Sequence, residues 1–262
     1  MPSEIDTKFD FREDSQGKDP DSYSPTLRQY HRLLWSKPLP DGRLFDLVDT
    51  SPGIYLHHLS DIGEFRLSSD SVIPSFWKPR SVADAISQLP AGRLAHFRYM
   101  SYTIGGMMVF PSNKVDGKMT INGARGCHPR IKDRFDLTVE CIRRHYQGGD
   151  SPLAPVLERY SEFFALFQSF EGYVDFFMLQ DLVSDSYTSI RFHAPFTGFD
   201  ESPLPGGLVE YTSYLDRTEQ FVRDRNRRIR ASRGKDRPWA KAVAWVRAGL
   251  KSDGDKPVRR DP

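Results

Sequence analysis

The run TIGGMMVFP at residues 103–111 constrains this chain more than any other stretch. Met107, Met108, Val109 and Phe110 are contiguous, and a strand that is apolar on both faces must be covered on both, so it reads as buried within a sheet. Gly105-Gly106 marks close backbone approach or a bulge. The G-x-G-x-x-G and Walker spacings are both absent, so this pair is no phosphate-binding loop. Beyond the polar loop SNKVDGK, TINGARG reads as a short helical turn. Pro129 then opens a long helix closed by Gly148-Gly149, with Ile131, Phe135, Val139 or Thr138, Ile142 and Tyr146 on its buried stripe and the charged Asp133, Asp136, Glu140, Arg143 and Arg144 largely on another face.

Around this stretch the chain divides by pattern. Residues 1–24 hold 3 Lys and Arg against 7 Asp and Glu with scattered aromatics, a composition that reads as a disordered acidic arm. Ser24-Pro25 caps a helix carrying Leu27, Tyr30, Leu33 and Leu34. LFDLV, IYLHHL and EFRL, separated by turn residues, read as an antiparallel meander. A short helix at 81–89 precedes LAHFRYMSY, which reads as a further strand. After Asp150-Ser151-Pro152, the stripe Leu153, Val156, Tyr160, Phe163, Phe164 and Phe167 reads as core. GYVDFFMLQDLV favours helix, residues 187–193 alternate like a strand, and Leu208, Tyr211, Leu215, Val222 and Ile229 share one face of a long helix.

The fold class is therefore α+β. One domain over residues 25–233 has an antiparallel or mixed sheet from 44–68, 94–110 and 187–193, packed against a predominantly helical second half. Residues 234–251 read as an amphipathic basic helix and 252–262 as a disordered tail. With 18 Phe, 11 Tyr and 4 Trp, the core should be aromatic-rich. Two cysteines make no disulfide framework, and no secretory leader opens the chain, so a cytoplasmic setting is expected. No apolar run approaches the roughly 20 residues that span a bilayer.

Three groups of residues could carry chemistry. Asn122, Arg125, Arg130, Lys132 and Arg134 crowd the start of the long helix, where the dipole and guanidinium forks favour an anion. The competing reading is structural, with Lys132 and Asp136, and Glu140 and Arg144, as i,i+4 pairs. Asp133, Asp136 and Glu140 could act as acid and base or bind a metal if they face a cleft, although neighbouring arginines would hold them as salt bridges. The histidines at 31, 57, 58, 96, 128, 145 and 193 show no metal-ligand spacing, and no CxxC or G-x-S-x-G is present. No metal site is expected and no cofactor is indicated.

TIGGMMVFP, TINGARG and DRFDLTVECIRRHY, with SPLAPVLERY, SEFFALF and GYVDFFMLQDLV, resemble an uncharacterised bacterial family, a domain of unknown function, over residues 25–230. The resemblance implies a bacterial cytosolic protein and brings no activity with it. The residues suggest a domain that binds or processes a phosphate-bearing ligand, a nucleotide or nucleic acid. The alternative is a non-enzymatic module whose basic stretch from Arg223 to Lys251, with Trp239 and Trp245 for stacking, contacts nucleic acid or an acidic protein.

Overall fold

The computed structural model describes residues 4–48, 55–73 and 80–232. The order runs α1 (Pro20–Tyr23), α2 (Pro25–Trp35), β1 (Lys37–Pro38), β2 (Leu44–Phe45), β3 (Leu56–Ser60), β4 (Gly63–Ser71), α3 (Arg80–Ser87), α4 (Arg93–Ser101) and β5 (Met107–Pro111). It continues with α5 (Ile121–Cys127), α6 (Phe135–Tyr146), α7 (Ala154–Glu158), α8 (Ser161–Ala165), α9 (Phe170–Phe177) and α10 (Leu208–Ala231). The fold is α+β. Its larger sheet is antiparallel in the order β3-β4-β5, and β1 with β2 makes a two-stranded ribbon.

Every residue of β5 is buried, as its unbroken apolar run requires. β5 pairs with β4 from Leu67↔Pro111 to Ser71↔Met107, whereas β3 pairs with β4 only from Leu56↔Leu67 to Ser60↔Gly63. β4 therefore outruns β3, and its polar end, Ser68–Ser71, has β5 on one side and, among the described residues, no strand on the other. The carbonyl of Arg66 accepts the Ser112 N–H and the Val72 N–H bonds Gly106, at 2.7 and 2.8 Å. Antiparallel peptide groups alternate sides, so those of Ser69 and Ser71 face the open edge.

The Gly105-Gly106 pair sits against α10. A Cβ on Gly105 would lie 2.5 Å from the Val222 carbonyl oxygen, and its N–H donates to Asn226 Oδ1 at 2.8 Å. Arg225, fully buried, donates to the carbonyls of Gly105, Met107 and Phe177 at 2.7–3.1 Å. Burial pushes its pKa down to about 10, which leaves it charged at neutral pH. The aromatic core lies behind this contact: Phe163, Phe167, Tyr173, Phe176 and Phe177 are buried, with Phe167 4.9 Å from Phe176 between ring centres.

Several expectations change. The acidic segment is packed in the described residues: Phe11 is fully buried, its N–H bonds the Tyr102 carbonyl at 3.1 Å, and Asp14 accepts from Ser24 Oγ and the Thr26 N–H. Its aspartates serve turns and caps, a use that composition cannot tell from solvation. LAHFRYMSY forms α4, since Phe97, Met100 and Ser101 bury one helical face. In short apolar runs the two periods are easily confused. LFDLV shrinks to β2 and a bridge from Val48 to His57, and the 187–193 segment to the bridge Val183–Ile190. The long helix starts at Phe135, not at Pro129, because Lys132 and Asp133 take left-handed φ of 48° and 63°. Residues 233–262 lie outside the described residues, so the expected basic helix and tail do as well.

Candidate functional site

Asn122 and Arg125 stand three residues apart on α5, hence on one face, and that face covers the open edge of β4. Asn122 Nδ2 donates to the Ser69 carbonyl at 3.4 Å and Ser68 Oγ at 3.2 Å. Arg125 Nη1 donates to the Ser71 carbonyl at 3.1 Å. The two side chains thus bond the edge carbonyls where β3 has ended.

Arg125 then gathers carboxylates. Its Nη1 lies 2.6 Å from Asp70 Oδ2 and 3.2 Å from Asp133 Oδ1. Nη2 donates to the Asp133 carbonyl at 3.0 Å and Nε to Thr138 Oγ1 at 3.3 Å. The Asp133 N–H returns to the Arg125 carbonyl at 2.9 Å. This closed set of bonds holds the consecutive left-handed residues Lys132 and Asp133, a backbone arrangement that costs on the order of 1–3 kcal/mol per residue unless the surroundings impose it.

The result is a buried cation beneath two partly exposed carboxylates. Arg125 is inaccessible, while the Asp70 and Asp133 side chains keep 26% and 22% of their surface in water. Burial pushes Asp70 up to about 6 despite Arg125, with Asp133 adding to the rise. Asp21, brought by α1 against β4, is pushed up to about 7, chiefly by burial and then by Asp70. Ser69 works against that rise, and Asp21 Oδ1 is buried with no hydrogen-bond partner among the described residues. Asn122 Oδ1 is buried and unpartnered too. The orientation of that amide is set by Nδ2, which must face the Ser69 carbonyl.

Below Ser69 a polar chain enters the core. Trp35 Nε1 donates to His31 Nδ1 at 3.1 Å, and His31 Nε2 meets Ser69 Oγ at 3.1 Å. Burial, then Arg225, lowers the His31 pKa to about 3, so the ring is neutral. With Nδ1 accepting, its one proton sits on Nε2 and points at Ser69. His31 therefore cannot act as a base toward the Ser69 hydroxyl. Ser69 is not a His-activated nucleophile.

Of the residues singled out in the sequence, only Asn122, Arg125 and Asp133 meet here. Arg134 is buried elsewhere. It forms a bidentate pair with Asp136 at 2.5 and 3.1 Å and donates to the carbonyls of Pro203 and Ala194, while Asp136 accepts the His193 N–H at 2.9 Å. Burial alone would raise Asp136, but Arg134 and His193 outweigh it and hold its pKa low. This pair staples residues 193–203 to α6 and replaces the expected Lys132–Asp136 pairing. Glu140, also buried, accepts from Arg143 and Arg144 at 2.7–2.9 Å. Arg130 meets the exposed Asp200 at 3.1 Å, and Lys132 makes no ion pair among the described residues. A common hollow for all five anion-binding candidates is not what the structure shows, because Asp70 and Asp133 claim the Arg125 guanidinium and Asp136 claims that of Arg134. Asp21, Asp70 and Ser69 escaped the sequence reading, although the polar run SSDS inside a strand next to β5 was a usable signal.

The matching family model is that of DUF6994, a family of unknown function, and it spans residues 5–229. The chain belongs to the DUF6994 family. The match begins well before residue 25, so the DUF6994 domain takes in the acidic segment and with it Asp21. No curated protein and no solved structure matches the chain.

Elsewhere in the DUF6994 domain, a hollow of about 410 Å³ lies between Arg191, His193, Arg217 and Asp224, and one of about 300 Å³ is lined by Met119, Cys127, Leu153, Val156 and Arg159. Among the described residues no group of three or more His, Cys, Asp or Glu side chains is placed to hold a metal ion, and no helix is long and apolar enough to cross a membrane. The described part of the basic stretch is largely engaged: Arg223 with Glu219, Arg227 with Asp224, Arg228 with Asp181, and Arg230 with Thr7.

Proposed function

We propose that the carboxylate cluster around Arg125 is the ligand site of the DUF6994 domain and that Asp21 and Asp70 exchange protons with what binds there. The observation that carries this reading is geometric: carboxylates locked around a buried guanidinium still face water. Two such groups with pKa values raised to about 7 and about 6 are matched to acid and base work near neutrality. Arg125 acts as a positioning residue that fixes Asp70 and Asp133, and Asn122 offers an acceptor beside them. The unpaired cysteines, one exposed and one buried, fit a reducing, cytoplasmic setting.

A second reading keeps the phosphate-bearing ligand. Lys132, next in sequence to Asp133 and without an ion pair among the described residues, would take the phosphate while the rest of the ligand met the carboxylates around Arg125. Nothing favours a phosphate on Arg125 itself, whose guanidinium already holds Asp70 and Asp133.

A thermal-shift screen over amines, sugars and nucleotides, with and without Mg²⁺, tests both. A ligand at 100 times its Kd stabilises by about 2.7 kcal/mol, which at this size is several degrees. Ligands of the carboxylate cluster should lose their shift in Asp21→Asn and Asp133→Asn, and a phosphate ligand in Lys132→Ala. Hits that keep their full shift in all three variants would place binding elsewhere.

A further inference from the structure

The hollow of about 410 Å³ beside α10 falls in the size range of small-molecule sites, and three cross-links fix its walls. The Arg191 N–H donates to the Leu182 carbonyl at 2.8 Å, Arg217 Nη1 donates to the Phe192 carbonyl at 3.0 Å, and Thr218 Oγ1 bonds His193 Nδ1 at 3.0 Å. His193 is only 4% exposed and lines the hollow, yet its Nε2 has no hydrogen-bond partner among the described residues. Its ring packs 5.8 Å from that of Phe221, centre to centre, and Phe221 with Phe192 supplies apolar wall. The charge around this space is positive. Asp181 and Asp224 in the lining are already taken by Arg228 and Arg227. Arg217 has no carboxylate partner among the described residues, and Arg191 holds only Asp185, at 2.7 Å in a fully solvated pair that another anion readily replaces.

We propose that this hollow is a second binding site, for a small organic anion: the carboxylate or phosphate head meets Arg217 and Arg191, Nε2 of His193 bonds a polar atom of the ligand, and its apolar part lies against Phe192 and Phe221. The site does not depend on the Arg125 cluster. A guanidinium offers a planar fork that bonds two oxygens of such a head together, and Arg217 is held toward the hollow by its bond to the Phe192 carbonyl. Burial, helped by Arg134 and Arg217 against Asp136, lowers the His193 pKa to about 4. His193 is therefore neutral and contributes a directed hydrogen bond, which leaves the counter-charge to the two arginines.

The test is calorimetric titration of the full chain with benzoate, phenyl phosphate, inorganic phosphate, benzyl alcohol and benzylamine. Benzoate or phenyl phosphate should bind where the alcohol and the amine do not, and the tighter of the two identifies the head as carboxylate or phosphate. Arg217→Gln, which keeps a donor for the Phe192 carbonyl, should weaken the anion about tenfold through loss of the charged fork, and Arg191→Gln should weaken it less. Lys132→Ala and Asp133→Asn should leave it unchanged, which separates this site from the Arg125 cluster. Labelling of Arg217 by phenylglyoxal, followed by peptide mass spectrometry on the unaltered chain, should slow when the anion is bound, so the test survives if a variant misfolds. Benzyl alcohol binding as tightly as the anions would overturn recognition by charge, and inorganic phosphate binding as tightly as phenyl phosphate would overturn the part given to Phe192 and Phe221. If neither organic anion binds at millimolar concentration, or if both arginine variants and the labelling rate are indifferent to it, the site itself falls.

Discussion

Replacing Asp21 by Asn separates a strained carboxylate from an ordinary surface acid. The folded chain raises this group from 3.8 to about 7, so the folded state holds its proton more tightly than the unfolded one. The stability that comes from that proton is fully present below about pH 4 and is lost as pH rises through 7. Three pKa units correspond to at most about 4 kcal/mol. Asp21 retains some contact with water, which screens the effect, and about 2 kcal/mol is the working figure. Asn keeps the shape without the charge. Asp21→Asn should therefore melt close to the parent at pH 4 and roughly 4–8 °C above it at pH 8, taking 2–4 °C per kcal/mol for a domain of this size. Scanning calorimetry of both proteins from pH 4 to 8.5 measures the gap. A constant difference across that range would show that Asp21 ionises freely, and the account of the cluster as a desolvated acidic site would fail with it.

Two further substitutions probe the frame around the site. Arg134→Ala leaves Asp136 buried without its partner and should destabilise by about 3–5 kcal/mol in denaturant unfolding; the double variant with Asp136→Ala should recover part of that loss, and equal losses would deny the pair its coupling. Gly105→Ala places a methyl 2.5 Å from the Val222 carbonyl oxygen and should cost about 1–3 kcal/mol. A neutral outcome would mean that α10 moves aside freely.

Much of the frame was legible locally. Four contiguous apolar residues demanded a doubly covered strand, and β5 is one. The period of Tyr211, Leu215, Val222 and Ile229 placed α10, and the adjacent glycines announced a close approach, realised where Gly105 meets Val222 and Asn226. The acidic segment was misread because Asp14 capping a turn and Asp14 in solvent have the same composition. α4 was misread because nine residues are too few to separate a period of 2 from one of 3.6.

What the order of residues determined alone was thus periodicity, turns and the absence of a metal-ligand spacing, all properties of neighbours within a few positions. Only the tertiary structure decided which charges meet. Arg125 takes Asp70 from 55 residues upstream, Arg134 pairs two residues away and spends its other donors on Ala194 and Pro203, and Asp21 comes under the influence of Asp70 through the packing of α1 on β4. Ion pairing is decided by distance and dielectric, and both are set by how the chain returns on itself. The arginines that looked available in sequence became structural, and the functional reading moved to the carboxylates around one of them.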